Sequence, residues 1–290
     1  MAQIALGTVQ FGMRYGIANQ SGQVCLTEAR KMLELAAVNN IGAIDTAIAY
    51  GESESCLGEI GVQGFKVVTK LPVVPEDCPD VRGWVYEQVA ASMTRLRVSS
   101  LYGLLLHRSE QLFDKRIGNK LYDALQEIKA SGQVRKVGVS IQNPHELERI
   151  ITLFPSGLVQ APFNLVDRRL HTGGWLSRLK GNDIEVHTRS VFLQGLLLMS
   201  LTAIPAQFSS WGSLWTTWHA WLSLHDISAL QACLAFPMGF QEIDSVVVGA
   251  DSARQLQQIL IASIFYQQTD LPSLQCEDEK LINPACWLPS

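Results

Sequence analysis

Ile44-Asp45-Thr46-Ala47-Ile48-Ala49-Tyr50-Gly51 joins an apolar run, ending at Ile44, to a carboxylate and, a few residues on, a phenol. The same pattern recurs further along the chain. Phe65-Lys66-Val67-Val68-Thr69 ends at Lys70, and Leu104-Leu105-Leu106 ends at His107. Short apolar runs that stop at polar residues suit buried strands. If the three runs are parallel strands of one barrel, their carboxyl ends lie on one face, and the residues just after them meet there.

The four side chains make chemical sense together. A phenol with an ordinary pKa of about 10 is a poor acid at neutral pH unless a nearby cation stabilises its phenolate. Lys70 supplies the cation, and Asp45 keeps that cation charged, because a buried ammonium without a partner tends to lose its proton. His107 is suited to orient a substrate oxygen by hydrogen bonding. Asp45, Tyr50, Lys70 and His107 therefore describe proton donation to a developing alkoxide.

Composition narrows the remaining classes. With 290 residues, 47% of them hydrophobic, the chain can bury a large core, and one domain is the expectation. Lys plus Arg number 23 against 27 Asp plus Glu, a formal charge of -4, so there is no broad basic footprint for nucleic acid or an anionic membrane. The cysteines, Cys25, Cys56, Cys78, Cys233, Cys276 and Cys286, lack the spacing of a zinc site, no metal is expected, and they read as reduced thiols of a cytoplasmic protein. Met1 to Gly7 lacks the basic and apolar regions of a secretory signal. The apolar run Val191 to Ala206 is interrupted by Gln194, Ser200, Thr202 and Pro205 and is too short to span a bilayer.

In chain order, Ile4 to Val9 reads as a strand, Arg14 to Gly22 as turns, and Thr27 as the cap of a helix reaching about Asn39. Helices are expected over Ser53–Ile60, Asp80–Leu96, Gly118–Ala130, a stretch opening at Pro144, Trp175–Lys180, Ser210–Leu224, Ser228–Ala235 and Ala253–Ile264. Further strands are expected at Val134–Val139, Leu158–Gln160, Ile184–His187 and Ser245–Val248. About eight strand–helix alternations predict an α/β fold, a single (β/α)8 TIM barrel over residues 1–290, with 266–290 as a C-terminal tail across one mouth and Trp287 packing there.

On these residues the chain resembles the aldo-keto reductases along nearly its whole length. Leu6-Gly7-Thr8-Val9-Gln10-Phe11-Gly12 is similar to that family's opening strand and turn, and Asp45-Thr46-Ala47-x-x-Tyr50-Gly51 with Glu54-x-x-Leu57-Gly58 to its most specific motif. Gln133-Val134-Arg135-x-Val137-Gly138-Val139-Ser140 and Gly249-Ala250 match two more segments. The resemblance implies reversible hydride transfer between a nicotinamide cofactor and a small-molecule carbonyl, with Asp45, Tyr50, Lys70 and His107 as the catalytic tetrad and Tyr50 as proton donor. It implies cofactor contacts at Gly7, Thr8 and Asp45, at Ser140 and Gln160 around the carboxamide, at Ser190 to Leu193 along the pyrophosphate, and at Gly249, Asp251 and Gln255 around the adenosine.

The chain also departs from the family pattern. Arg189 stands where the resemblance implies an aromatic ring on the nicotinamide, and its charge alters the local field. Asp251 falls where the 2′-phosphate of NADP is often held, Ile259 replaces the usual Asn, and an acid beside that phosphate needs compensation, for which Arg254 is the candidate. NADP(H) is preferred on the family's habit, with NAD(H) open. Two other classes compete: a non-catalytic NAD(P)-binding redox sensor or regulatory subunit, and a barrel lyase or isomerase using Lys70 as a Schiff-base nucleophile. Trp211, Trp215, Trp218 and Trp221 share one helical face. That face either packs on the barrel or lends a ring or two to a substrate pocket.

Overall fold

Every apolar run pairs with the next in parallel register. In the computed structural model, which describes residues 2–264 and 271–287, these strands close a barrel. The strands are β1 (Gln3–Gly7), β2 (Ala43–Asp45), β3 (Lys66–Leu71), β4 (Leu101–Leu106), β5 (Val134–Ser140), β6 (Leu158–Pro162), β7 (Glu185–Arg189) and β8 (Ser245–Gly249), with β8 returning to β1. Gly7 lies opposite Asp45 on one side and Gly249 on the other. This register brings the ends of β8, β1 and β2 to the same rim.

The helices run back along the outside. A single turn, α1 (Val9–Gly12), precedes α2 (Leu26–Val38), and α3 (Ser53–Ile60), α4 (Val81–Leu96) and α5 (Gly118–Ala130) follow β2, β3 and β4. Then come α6 (Leu147–Leu153), the short α7 (Arg169–Thr172) and α8 (Trp175–Gly181), α9 (Gly212–His225) with α10 (Ala229–Met238), and α11 (Ala253–Ile264). The pattern is plain in α5, which buries Leu121, Ala124, Leu125 and Ile128 at helical spacing against the sheet.

Small residues set how closely the rim elements approach. A Cβ on Gly12 would stand 1.6 Å from the Tyr50 carbonyl oxygen, and one on Gly58 would stand 1.9 Å from that of Arg95. Backbone meets backbone at both points, so α3 is seated between α1 and α4. Glu54 of α3 fixes the seating: its buried carboxylate accepts hydrogen bonds from Thr69 (2.7 Å), Ser92 (2.7 Å) and Arg95 (2.8 Å). That carboxylate holds β3, α3 and α4 together.

One expectation needs correction. Thr27 does not cap α2, because the Ala29 N–H already bonds to the Cys25 carbonyl (2.9 Å) and the helix starts earlier, with Thr27 inside it. The stretch before α9 is a series of 3-10 turns, Leu193–Leu198, Leu201–Ala203 and Ala206–Trp211, with no sequence period to announce them. Of the expected tail, residues 266–270 and 288–290 lie outside the described residues. Residues 271–287 are tied to the rim: Arg168 donates to the Pro272 carbonyl (2.7 Å), Arg169 pairs with Glu279 of α12 (Glu279–Ile282), and Gln142 donates to Asn283 (3.0 Å). Trp287 sets its ring edge-on to Phe208, with centroids 4.9 Å apart.

Candidate active site

Asp45 is the last residue of β2, Lys70 falls near the end of β3, and His107 follows β4 directly. Parallel strands deliver these ends to one face, and the turn Ala47–Tyr50 folds Tyr50 back over it, the Tyr50 N–H bonding to the Ala47 carbonyl (3.0 Å). Lys70 is 1% exposed. Its ammonium donates to both carboxylate oxygens of Asp45 (2.8 and 2.7 Å) and to the Thr46 carbonyl (2.9 Å), and lies 3.5 Å from the Tyr50 hydroxyl. The His107 ring stands edge-on to Tyr50, centroids 5.9 Å apart. The four sequence-selected residues are therefore one cluster.

Electrostatics set the charge states of this cluster. Burial alone pulls the Lys70 ammonium toward neutrality, but the Asp45 carboxylate, Tyr50 and the hydrogen bond that Lys70 donates to Asp45 outweigh it, and the Lys70 pKa is raised. A lysine so held keeps its proton, which does not suit a Schiff-base nucleophile. His107 shifts the other way: burial, then the charges of Lys70 and Arg189, bring it down to about 4. Its imidazole is neutral near pH 7 and has one N–H to donate.

Below the cluster a polar ladder fixes Asp45. Gln160 donates to the Asp45 carboxylate (2.6 Å), and Ser140 donates to the Gln160 carbonyl oxygen (3.2 Å). Thr8 turns its hydroxyl to the Asp45 carbonyl (3.0 Å) and meets Ser53 (2.9 Å). Above lies an open cleft of about 810 Å³ whose lining includes Gly7, Thr8, Asp45, Tyr50, His107, Ser140, Arg189, Ser190, Gly249, Asp251 and Gln255. Most of the residues expected at a cofactor thus face one space.

The exceptions are informative. Leu193 is fully buried and does not line the cleft, because Ser190, Leu193 and Gln194 adopt left-handed backbone (φ 61, 47 and 55), a turn that leaves Phe192, Gln194 and Gly195 on the cleft wall instead. Arg254 is exposed and off the lining, so it gives Asp251 no compensation in the cleft. Trp211, Trp215, Trp218 and Trp221 are off it too. Trp215 and Trp218 are core residues that donate to the Phe208 and Leu197 carbonyls (2.9 and 3.1 Å), so for these two the packing role holds. Arg189 does line the cleft, its guanidinium bonded to the Ile141 carbonyl (2.9 Å), the Gln142 side-chain oxygen (2.8 Å) and the Ser190 hydroxyl (3.2 Å).

Sequence reasoning missed several wall residues. Gln10 lines the cleft from the single turn α1, Tyr15, Asn19 and Gln142 line it from loops without periodicity, and the Asn19–Asp251 hydrogen bond (3.0 Å) spans 232 residues of sequence. Only the register of β1 with β8 brings those two loops together.

Among the described residues no group of His, Cys, Asp and Glu is gathered to hold a metal, and no helix is long and apolar enough to cross a membrane. Comparison with known proteins agrees with the geometry. The chain is 24% identical to the oxidoreductase sirO of Leptosphaeria maculans over 89% of its own length and 87% of that protein. Its fold is similar to the holo form of the aldo-keto reductase AKR11C1 of Bacillus halodurans (TM-score 0.73, 18% identity, 94% of this chain and 89% of that one). It is also similar to the glycerol dehydrogenase AKR11B4 of Gluconobacter oxydans (TM-score 0.69, 20% identity, 92% and 87%). The family model for the Aldo/keto reductase family matches residues 3–273, and on that match the chain belongs to the aldo/keto reductases, a family of oxidoreductases.

Proposed function

We propose that the protein transfers a hydride between a nicotinamide cofactor and an aldehyde or ketone, with Tyr50 as the general acid. The observation that carries this reading is the Lys70 ammonium, clasped by Asp45 at 2.7 Å and standing 3.5 Å from the Tyr50 hydroxyl. A dinucleotide suits the cleft in size and lining: its volume is about 810 Å³, Gly7 and Gly249 are on its wall, and the Gln10 side-chain oxygen is buried without a partner. Reduced nicotinamide, when bound, supplies the hydride.

The protein's own part is proton movement and positioning. As the substrate oxygen gains negative charge, the Tyr50 hydroxyl gives it a proton, and Lys70 stabilises the phenolate left behind. Asp45 keeps Lys70 charged, and Gln160 holds Asp45 in place. Neutral His107 donates a hydrogen bond to the same substrate oxygen and orients the carbonyl. Ser140 is the cleft-lining side chain for the carboxamide, with Gln160, fully buried and off the lining, bonded behind it to Ser140 and Asp45, and the backbone of Ser190 to Gly195 serves the pyrophosphate. The intact cluster favours catalysis over a sensor role. Between NADP(H), preferred on the resemblance, and NAD(H), the deciding contacts are at the α11 end of the cleft.

The test is Tyr50→Phe, measured for cofactor binding and for turnover with a panel of small aldehydes. The expected result is near-normal binding with turnover lowered roughly 10²–10⁴-fold, the size of a lost general acid. Unchanged turnover would remove Tyr50 from the chemistry.

A further inference from the structure

The cleft has two ends of opposite character. Beyond His107 one end meets Glu110, Glu146 and the tail at Asn283–Ala285, and the other passes Ser190–Gly195 to Gly249–Asp251 and the start of α11. On the hydride-transfer reading, the nicotinamide lies at Tyr50 and a pyrophosphate must leave in one direction. At the first end the Arg108 guanidinium is already paired with Glu110 (3.8 Å) and Glu146 adds a second carboxylate, so the balance of charge there disfavours a pyrophosphate. Along the second, left-handed backbone at Ser190, Gln194 and Gly195 (φ 61, 55 and 91) exposes main chain suited to phosphate oxygens. The second nucleoside therefore comes to rest against α11.

That end is furnished with acceptors. Asp251 lines it and accepts a hydrogen bond from Asn19 (3.0 Å), and Gln10 and Gln255 also bond to Asp251. The other oxygen-bearing end of Gln10, 8% exposed, has no partner. The start of α11 would ordinarily attract a phosphate, yet two of its N–H groups are engaged, Ala253 with the Glu28 carboxylate (2.8 Å) and Gln255 with the Ser252 hydroxyl (3.2 Å), and the Asp251 N–H just before it bonds to the Gln255 side chain (2.7 Å). Among the described residues no lysine or arginine lines this end, Arg108 and Arg189 being the arginines elsewhere on the wall. Burial raises the Asp251 carboxyl above its ordinary range in spite of those hydrogen bonds.

A phosphate monoester brings acceptors and negative charge, whereas a ribose with free hydroxyls brings donors. We propose that Asp251, seconded by Gln10, makes this a site for the dinucleotide with a free 2′-hydroxyl, NAD(H), and turns away the 2′-phosphorylated form. This reverses the preference for NADP(H) implied by the resemblance, and it rests on the hydride-transfer reading.

The test needs no substrate. Full-length protein is titrated separately with NADH and NADPH, following quenching of tryptophan fluorescence and enhancement of nicotinamide fluorescence. The wild type should bind NADH more tightly by about 50-fold or more, and Asp251→Ser should narrow the ratio about tenfold, mainly through better NADPH binding. Asp251→Asn keeps the shape and should give a smaller change in the same direction. Equal or tighter binding of NADPH by the wild type would overturn the proposal and leave the reductase reading standing. An unchanged ratio in both variants would overturn the part assigned to Asp251. Binding of neither cofactor would overturn the proposal and the reductase reading together.

Discussion

The floor of the cleft neutralises its charges in pairs, whereas the α11 end keeps an acid with no cation beside it. On the floor, Lys70 is enclosed by Asp45, the Thr46 carbonyl and Tyr50. At the α11 end, Asp251 has only the neutral partners Asn19, Gln10 and Gln255. The difference teaches what each region is fixed by. On the proposed function, proton donation would demand particular side chains at hydrogen-bond distances, so the floor would be closed to substitution. A dinucleotide would be gripped by loops and main chain together, so side chains there would be free to change which cofactor is admitted without touching the chemistry.

Removing one member of the paired floor should have the largest effect. Lys70→Met leaves Asp45 buried with only Gln160 as donor, and breaking a buried pair from one side costs about 3–5 kcal/mol. Urea denaturation should show that loss, and turnover should fall at least roughly 10²-fold through the missing cation. A variant as stable as the wild type would show that the pairing is not what holds the floor.

A change of pH should reach the floor through His107. Its folded pKa of about 4 lies below the ordinary 6.5, so the unfolded chain takes up the proton first as the solution is acidified. The sign follows: this contribution is intact above about pH 6.5, drains away as pH falls, and is gone near pH 4. Its ceiling is about 3 kcal/mol. Melting temperatures of wild type and His107→Gln between pH 8 and pH 4.5 should converge toward acid, and parallel curves would deny His107 this role.

Glu54 offers a smaller effect and a cleaner separation. It belongs to the most specific motif, yet it reaches Thr69, Ser92 and Arg95 and does not line the cleft. Glu54→Gln should cost about 2 kcal/mol of stability, the scale of charged hydrogen bonds, while leaving the KM and kcat of the folded protein near their original values. A kinetic defect at full stability would place Glu54 in the chemistry after all.

What the sequence made legible follows the same division. Asp45, Lys70 and His107 could be read because each ends a run of buried strand residues, and strand periodicity is a local signal. The barrel could be read from the repetition of such runs. The walls could not, because Asn19 meets Asp251, Gln142 meets Asn283, and Arg169 meets Glu279 across long separations that only barrel closure brings together. Leu193 was misplaced for a related reason: its neighbours take left-handed backbone without being glycine, and nothing in their residue types announces it. The tryptophan face of α9 was legible only down to two alternatives, since period alone marks a buried face without saying whether core or cleft lies on the other side.

Arg189 is the residue that joins the two regions, and it carries the smallest effect. Its guanidinium is held on the cleft wall by the Ile141 carbonyl, Gln142 and Ser190, so by position it belongs to the cofactor-gripping loops. Its charge nevertheless reaches the floor, where it lowers the pKa of both His107 and Lys70. Arg189→Gln removes that repulsion without adding a charge. The His107 ring should then titrate above about 4, observed by NMR, and the loss of stability on acidification should shrink by less than about 1 kcal/mol. Lys70 should hold its proton at least as firmly, so the alkaline limb of any pH–rate profile should not move to lower pH. If the His107 titration stays where it is, the field of the wall does not extend to the floor, and the two regions are electrostatically separate as well as differently built.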